Sequence, residues 1–170
     1  MGNLNYKIID NFLEKDVFDN FKKIIFSTEN IPWYYKYGQT NESSNSEEDI
    51  GFFSLCFFSN FKEDFVFLNN FLHLIYTKLN CRALIKSKAN LTLRGNNKNK
   101  LFFHTDYPYN SYTAIFYLNT NNGATILDEK KQIEINSIEN RILIFDANIN
   151  HAVKVQTDEK RRIVLNINYF

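Results

Sequence analysis

Two histidines and one aspartate have the residue types and the spacing of a metal site. His104 and Asp106 form the segment His-Thr-Asp, and His151 follows much later in the chain. Residues two apart on a strand point to the same side, so the imidazole and the carboxylate can reach one ion together. Two imidazoles and one carboxylate suit Fe(II) and leave positions open for other ligands. Such triplets also arise by chance, so the spacing alone leaves the metal site a hypothesis. The remaining histidine, His73, lies between two leucines and is interpreted as a structural or surface residue.

The last predicted strand carries a second chemical signal. Strand side chains alternate between two faces, so one row is apolar and the other is mostly polar. The apolar row is Ile163, Leu165 and Ile167, and the other row is Arg162, Val164, Asn166 and Asn168. If helices cover the apolar row, Arg162 points into a polar cavity, because an unpaired charge is costly to bury in an apolar core. The alternative is that Arg162 faces solvent.

An arginine in such a cavity would serve a particular kind of ligand. Arg162 follows His151 by eleven residues, on the next strand. A ligand bound to a metal at one end and carrying a carboxylate at the other end would need a guanidinium there. Tyr117 lies on the strand after the His-Thr-Asp segment, where its hydroxyl could meet the same carboxylate.

Two helices and a series of short strands must position these residues. Helical apolar spacing predicts a helix over 11–27, capped by Asp10, and a second over 63–79. The polar stretch 40–49 predicts an exposed loop. Strands are predicted at 51–58, 83–94, 101–105, 112–119, 124–127, 132–135, 141–145, 152–155 and 162–169. This order favours a mostly β, α+β fold of two antiparallel sheets, a jelly roll with the helices packed on the major sheet.

Length and composition set the broader limits. The 170 residues suit a single domain, 1–170, in which 1–82 form a helical support and lid region and 83–170 form the core. A net charge of +1 creates no strong field, so neither nucleic acid nor a membrane surface is expected as a partner. Cys56 and Cys81 are too few for a disulfide scaffold. We expect both to be reduced and mostly buried, in a cytoplasmic protein.

Several further segments complete an ordered set of motifs between residue 89 and the end of the chain. After His104-Thr105-Asp106 come Tyr-Leu-Asn at 117–119, Asn-Gly-Ala-Thr at 122–125, Asn-Arg-Ile-Leu-Ile-Phe at 140–145, His151 and Arg162. In this order they resemble the 2-oxoglutarate/Fe(II)-dependent dioxygenases, in the prolyl 4-hydroxylase-like branch. Two positions depart from the family pattern. Asn122-Gly123 replaces a Gly-Gly pair, and Arg94 stands where some members have a tyrosine.

The resemblance implies a double-stranded β-helix with Fe(II), 2-oxoglutarate as cosubstrate and O2. By position, His104, Asp106 and His151 would bind the iron. Arg162 and Tyr117 would bind the distal carboxylate of 2-oxoglutarate, and Thr125 would line its pocket. Arg161 is an alternative anchor, but strand parity places it in the apolar row, so Arg162 is preferred. Arg94 would meet the cosubstrate or an anionic substrate.

The activity implied by the resemblance is hydroxylation of a C–H bond. Asp106 stands where halogenating members have a small residue, which favours hydroxylation. The substrate would be a prolyl residue of a peptide or a small molecule. Tyr107, Pro108, Tyr109 and Tyr112 are candidates for the rim of the cavity, and 32–35 with the acidic loop for a lid. Two alternatives stay open: oxidative demethylation of nucleobases, and a non-catalytic jelly-roll binding module.

Overall fold

The structure is a computed structural model that describes residues 5–27, 31–38, 51–59, 62–63, 68–96 and 100–170. The helices are α1 (Lys15–Phe26) and α2 (Asn69–Lys78). In chain order the strands are β1 (Tyr6–Ile9), β2 (Tyr34–Lys36), β3 (Phe52–Ser59), β4 (Lys62–Glu63), β5 (Leu84–Leu93), β6 (Tyr112–Tyr117), β7 (Ala124–Leu127), β8 (Ile133–Asn136), β9 (Arg141–Asp146), β10 (His151–Lys154) and β11 (Arg161–Tyr169).

The strands form a large and a small antiparallel sheet. The large sheet has the order β1-β9-β6-β11-β5-β3-β2, with β4 paired to β3, and the small sheet has the order β10-β7-β8. The predicted mostly β architecture with two helices and antiparallel sheets is therefore confirmed. Neighbours in the large sheet are distant in sequence, and β11 at its centre pairs with both β5 and β6.

Both helices cover the outer face of the large sheet. Helix α1 buries Phe18, Phe21 and Ile25, whose spacing of three and four residues makes one apolar stripe. Helix α2 buries Leu72 and Ile75 in the same cluster. His73 is exposed on α2, in agreement with a structural or surface role.

The helices begin later than their apolar spacing predicts. The prediction that Asp10 caps α1 is wrong, since the residue before Lys15 is Glu14, which makes no side-chain cap hydrogen bond. Pairing of β1 with β9 instead brings Asp10 to Arg141, whose guanidinium donates two hydrogen bonds to the carboxylate at 2.6 and 3.0 Å. Residue 63, where the second helix was expected to begin, is part of β4.

Two cores flank the large sheet, and β11 contributes to both. Ile163, Leu165 and Ile167 belong to the cluster beneath the helices, whereas Val164 belongs to the cluster between the sheets. The predicted alternation along this strand is thus confirmed. The row that holds Arg162 faces the space between the two sheets, where the chemistry is expected.

Other expectations need correction or fall outside the described residues. The strand expected at 101–105 is absent, and only a bridge between His104 and His151 forms there. Cys56 and Cys81 are free thiols as predicted, but both are only half-buried. The expected loop at 40–49 lies outside the described residues. Residues 34 and 35 of the expected lid belong to the edge strand β2. In the described ranges no helix combines the length and the apolar character of a membrane span.

Candidate active site

Three potential metal donors converge between the sheets. The ligand atoms of His104, Asp106 and His151 all lie within 4.8 Å of one another. The Nε2 atoms of His104 and His151 each lie 4.0 Å from a carboxylate oxygen of Asp106. Ligands about 2.1 Å from an octahedral ion are about 3 Å apart, so small side-chain rotations would close the site on an ion. The grouping expected from the sequence is present.

Backbone contacts place the two histidine side chains side by side. The amide of each residue donates to the carbonyl of the other, with N–O distances of 2.9 and 2.8 Å for His104 and His151. His104 Nδ1 lies 3.3 Å from the carbonyl oxygen of Phe102, and His151 Nδ1 lies 3.0 Å from that of Ile149. A carbonyl only accepts, so Nδ1 of each ring carries the proton and Nε2 keeps its lone pair. This is the arrangement that a metal-binding imidazole needs.

Hydrogen bonds and burial favour the metal-binding charge states of Asp106 and His104. Burial raises the pKa of Asp106, but the charge of His151 and hydrogen bonds from Asn168 and Thr113 outweigh it and hold the pKa below its usual range. Both hydrogen bonds reach the same carboxylate oxygen, Oδ2, at 2.8 Å. Burial, and then the charge of His151, lowers the pKa of His104. An ionised carboxylate and a neutral imidazole are the forms that bind metal ions.

A cavity extends from these donors along the inner face of the large sheet. It encloses about 600 Å³ of empty space, open solvent at its mouth included. Strand β11 lines it with Arg162, Val164 and Asn166, and β5 lines it with Lys88, Asn90 and Thr92; further lining residues are Phe52, Ile115, Thr125 and Val153.

Arg162 is buried in this cavity without a carboxylate partner in the described part of the chain. Its side chain is only 2% exposed. Nε donates to Ser137 Oγ at 2.8 Å, and a terminal nitrogen donates to Thr125 Oγ1 at 3.4 Å. Burial lowers the pKa of Arg162, but a guanidinium in a protein remains charged. An uncompensated buried charge is costly, so the arrangement suits an anionic ligand.

Tyr117 and Thr125 meet beside this guanidinium. The Tyr117 hydroxyl donates to Thr125 Oγ1 at 2.8 Å, and the ring centroid lies 5.5 Å from the guanidinium carbon of Arg162. Thr125 Oγ1 therefore accepts from two donors, and its own proton is left to donate into the cavity. Thr125 lines the cavity, whereas Tyr117 is fully buried behind it.

The two alternative arginines lie elsewhere. Arg161 projects to the helix side, where it donates to the Phe26 carbonyl at 3.2 Å and its guanidinium carbon lies 4.6 Å from the Phe26 ring centroid. Arg94 is exposed and donates to the Asp158 carbonyl at 2.8 Å, so it does not line the cavity as expected. The expectation for Arg94 assumes that the alternation of side chains along β5 continues to this residue, but β5 ends at Leu93.

The aromatic residues expected at the cavity rim form a separate cluster. Tyr109 stacks on Phe170 with ring centroids 5.8 Å apart and contacts Tyr107 at 5.3 Å. None of these three lines the cavity, which receives Phe52 from β3 instead. Tyr112, another expected rim residue, lies on β6, where its ring centroid is 5.7 Å from that of Tyr169.

Sequence reasoning missed several residues that shape the site. Lys88 has the same strand parity as Asn90 and Thr92, so extending that row by two residues would have identified it. Ser137 and Thr113, which bond Arg162 and Asp106, gave no such signal. Ser137 is 25 residues from Arg162, and Thr113 is seven residues from Asp106 across a segment without a regular strand, so local periodicity indicates neither contact.

Solved structures resemble this arrangement, although no family model and no curated protein matches the sequence. An oxidoreductase of the 2OG-Fe(II) oxygenase family from Burkholderia pseudomallei is 9% identical, with a TM-score of 0.67 over 96% of this chain and 84% of its own. The chain has the fold of the 2OG-Fe(II) oxygenases. A Trichoplax adhaerens prolyl hydroxylase, in complex with a peptide fragment of hypoxia inducible factor, is 18% identical, with a TM-score of 0.66 and coverages of 97% and 83%. Streptomyces hygroscopicus HygX, with nickel and 2-oxoglutarate bound, is 9% identical, with a TM-score of 0.60 and coverages of 98% and 82%.

Proposed function

We propose that the protein is a 2-oxoglutarate- and Fe(II)-dependent dioxygenase that hydroxylates a C–H bond of a prolyl residue or of a small molecule. One observation carries the proposal: the three metal donors and the unpaired Arg162 guanidinium share one cavity. A ligand with two acidic ends would bind the ion at one end and Arg162 at the other. We take the two sheets as the walls of a double-stranded β-helix, and residues 1–170 as one catalytic domain.

The residues of the cavity divide into two binding groups. His104, Asp106 and His151 would hold Fe(II), a choice that suits their nitrogen and oxygen donor set. Arg162 and Thr125 would bind the distal carboxylate of 2-oxoglutarate, and Tyr117 would hold Thr125 in position. When bound, the iron and 2-oxoglutarate supply the oxidation of a C–H bond by O2, with succinate and CO2 as co-products.

The protein's own contribution is orientation and protonation state. Asn168 and Thr113 fix Asp106 as an ionised carboxylate, and the carbonyls of Phe102 and Ile149 fix the histidine tautomers. The apolar side chains of Ile115, Val153 and Val164 in the wall limit the access of water. Positions held in this way need no rearrangement when the ligands bind.

The test is turnover by the purified protein. With Fe(II), 2-oxoglutarate and O2, we expect succinate to form, and a screen of peptides and small molecules should yield a product heavier by one oxygen atom. His104→Ala and Asp106→Ala should abolish both signals. Formaldehyde released from a methylated oligonucleotide would instead indicate nucleobase demethylation.

A binding measurement distinguishes an enzyme whose substrate has not been found from a non-catalytic binding module. Titration of 2-oxoglutarate into the Mn(II)-loaded protein should show saturable binding that depends on the metal. If neither the metal ion nor 2-oxoglutarate binds, the protein is not a dioxygenase of this kind.

A further inference from the structure

A second cation lies in the cavity, away from Arg162. Lys88 lines the cavity from β5, and its ammonium nitrogen lies 5.7 Å from the ring centroid of Phe52. Among the described residues it makes no hydrogen bond or ion pair. Burial lowers its pKa, and the negative charge of Asp106 only partly offsets this. The proposed reaction scheme gives this lysine no role.

An unsatisfied acceptor lies next to this lysine. Asn166 on β11 is directly opposite Lys88 on β5. Its side-chain oxygen, Oδ1, is buried and has no hydrogen-bond partner among the described residues. Buried polar atoms are nearly always hydrogen-bonded, so an orphan in a cavity wall marks a place where a ligand donor belongs. A cation and an acceptor without a partner among the described residues therefore belong to neighbouring residues of the cavity wall.

The cosubstrate cannot account for both cations. Arg162 is opposite Thr92, which lies four residues from Lys88 along β5. Both acidic ends of 2-oxoglutarate would already be engaged, one by the metal and the other by Arg162, so no charged group of the cosubstrate would remain for Lys88. Asn168, which donates a hydrogen bond to Asp106, lies two residues from Asn166 on the same face of β11, so the register places Lys88 towards the metal end of the cavity. A 2-oxoglutarate held between the metal and Arg162 would leave Lys88 free for another ligand.

Charge balance indicates what that ligand carries. The loaded site would contain the charges of Asp106, Arg162 and Lys88 together with those of a divalent metal ion and a doubly charged 2-oxoglutarate. Both histidines would be neutral. With Lys88 protonated, one positive charge then remains uncompensated among the described residues, and it is that of Lys88. A single ammonium matches a singly charged group, whereas a phosphate group is usually bound by several donors or an arginine fork.

We propose that Lys88 and Asn166 form the substrate subsite, and that the substrate is a small monocarboxylate with an N–H or O–H donor close to its carboxylate. The carboxylate pairs with Lys88 and the donor bonds Asn166 Oδ1. This rests on the proposed dioxygenase function and narrows its substrate class. A free or C-terminal amino acid derivative, or a hydroxy acid, has this chemistry, and an internal peptide residue does not.

Ligand binding without turnover tests the subsite. The probes are N-acetylglycine, which has a carboxylate and an adjacent N–H, and N-acetylglycinamide, its neutral counterpart. Each is titrated by NMR into the protein loaded with Zn(II) and 2-oxoglutarate. Charge-assisted hydrogen bonds are strong enough that the acid should bind about ten-fold or more tightly than the amide. Lys88→Met should reduce this ratio to about one, and Lys88→Arg should retain most of it.

The controls separate this proposal from the proposed function. Lys154→Met removes the same charge at an exposed position on β10 and should leave the ratio unchanged. The affinity for 2-oxoglutarate, measured in the same samples, reports whether each variant is folded and loaded. If 2-oxoglutarate binds but the acid-to-amide ratio is near one in the wild type, or survives Lys88→Met, the subsite proposal is overturned and the dioxygenase proposal stands. If 2-oxoglutarate does not bind to the wild type, the dioxygenase proposal fails, and this one with it.

Discussion

Replacing Arg162 by methionine tests the cosubstrate anchor most directly. Ser137 and Thr125 accept from two of the five N–H groups of this guanidinium, which leaves three for a ligand. A bidentate carboxylate would use two of these. Hydrogen bonds to charged groups contribute about 1.5–3 kcal/mol each, so their loss amounts to about 3–6 kcal/mol. At 1.4 kcal/mol per decade, Arg162→Met should weaken 2-oxoglutarate binding by at least about 100-fold.

Arg161→Met is the matched control, because Arg161 lies on the opposite face of the same strand. Calorimetric titration of 2-oxoglutarate into the Mn(II)-loaded proteins should show a strong loss in the first variant and little change in the second. Affinity for Mn(II) should be similar in both, since neither arginine is a metal ligand. Removing the unpaired buried charge of Arg162 should leave the unliganded protein as stable or more stable. Equal losses, or a larger loss for Arg161→Met, would show that the register of β11 is wrong by one residue.

Three further predictions concern the metal ligands and the N-terminal segment. Asn168→Leu removes a hydrogen bond to Asp106 and should weaken Mn(II) binding by about 10–100-fold, measured by calorimetry; an unchanged affinity would contradict the supporting role of this amide. Because the pKa of His104 is lowered from 6.5, the unfolded metal-free protein takes up this proton before the folded one does. Unfolding free energy should therefore fall as pH drops below 6.5, and His104→Gln should show a smaller fall. The Asn140 side chain bonds both the amide and the carbonyl of Leu13, at 2.9 and 2.8 Å, so Asn140→Ala should cost about 2–4 kcal/mol in urea unfolding; a cost well below 1 kcal/mol would show that these bonds contribute little.

The sequence predicted features governed by local periodicity. The alternation along β11 gave the direction of Arg162. The two-residue spacing of His104 and Asp106 indicated two candidate metal ligands, which the structure brings together although the strand expected there is absent. Features that depend on distant pairing could not be predicted in this way. Strand β1 is short and mostly exposed, and it exists because it pairs with β9. The same pairing places Asp10 beside Arg141, so Asp10 does not cap α1.

The residues of the proposed substrate subsite could not be predicted from the sequence for the same reason. Lys88 and Asn166 are ordinary strand residues in their own segments, and neither carries a sequence signal of binding. Only the register that sets β5 beside β11 makes them neighbours. The burial that lowers the pKa of Lys88, and the missing partner of Asn166, are properties of the assembled sheet.

The paired backbone contacts of His104 and His151 imply that a bound metal ion would help to hold two distant segments of the chain together. The segment 100–111 has no regular strand. Its described contacts include the backbone pair of His104 with His151 at the start of β10. The amides of Asp106 and Tyr107 also donate to the carbonyl of Ala147, in the turn before β10. An ion held by ligands on both sides would cross-link this segment to the small sheet. At a concentration one hundred times its dissociation constant, it would stabilise the fold by about 2.7 kcal/mol. The segment would then be most ordered when the metal site is loaded, so that its resistance to proteases would report iron occupancy.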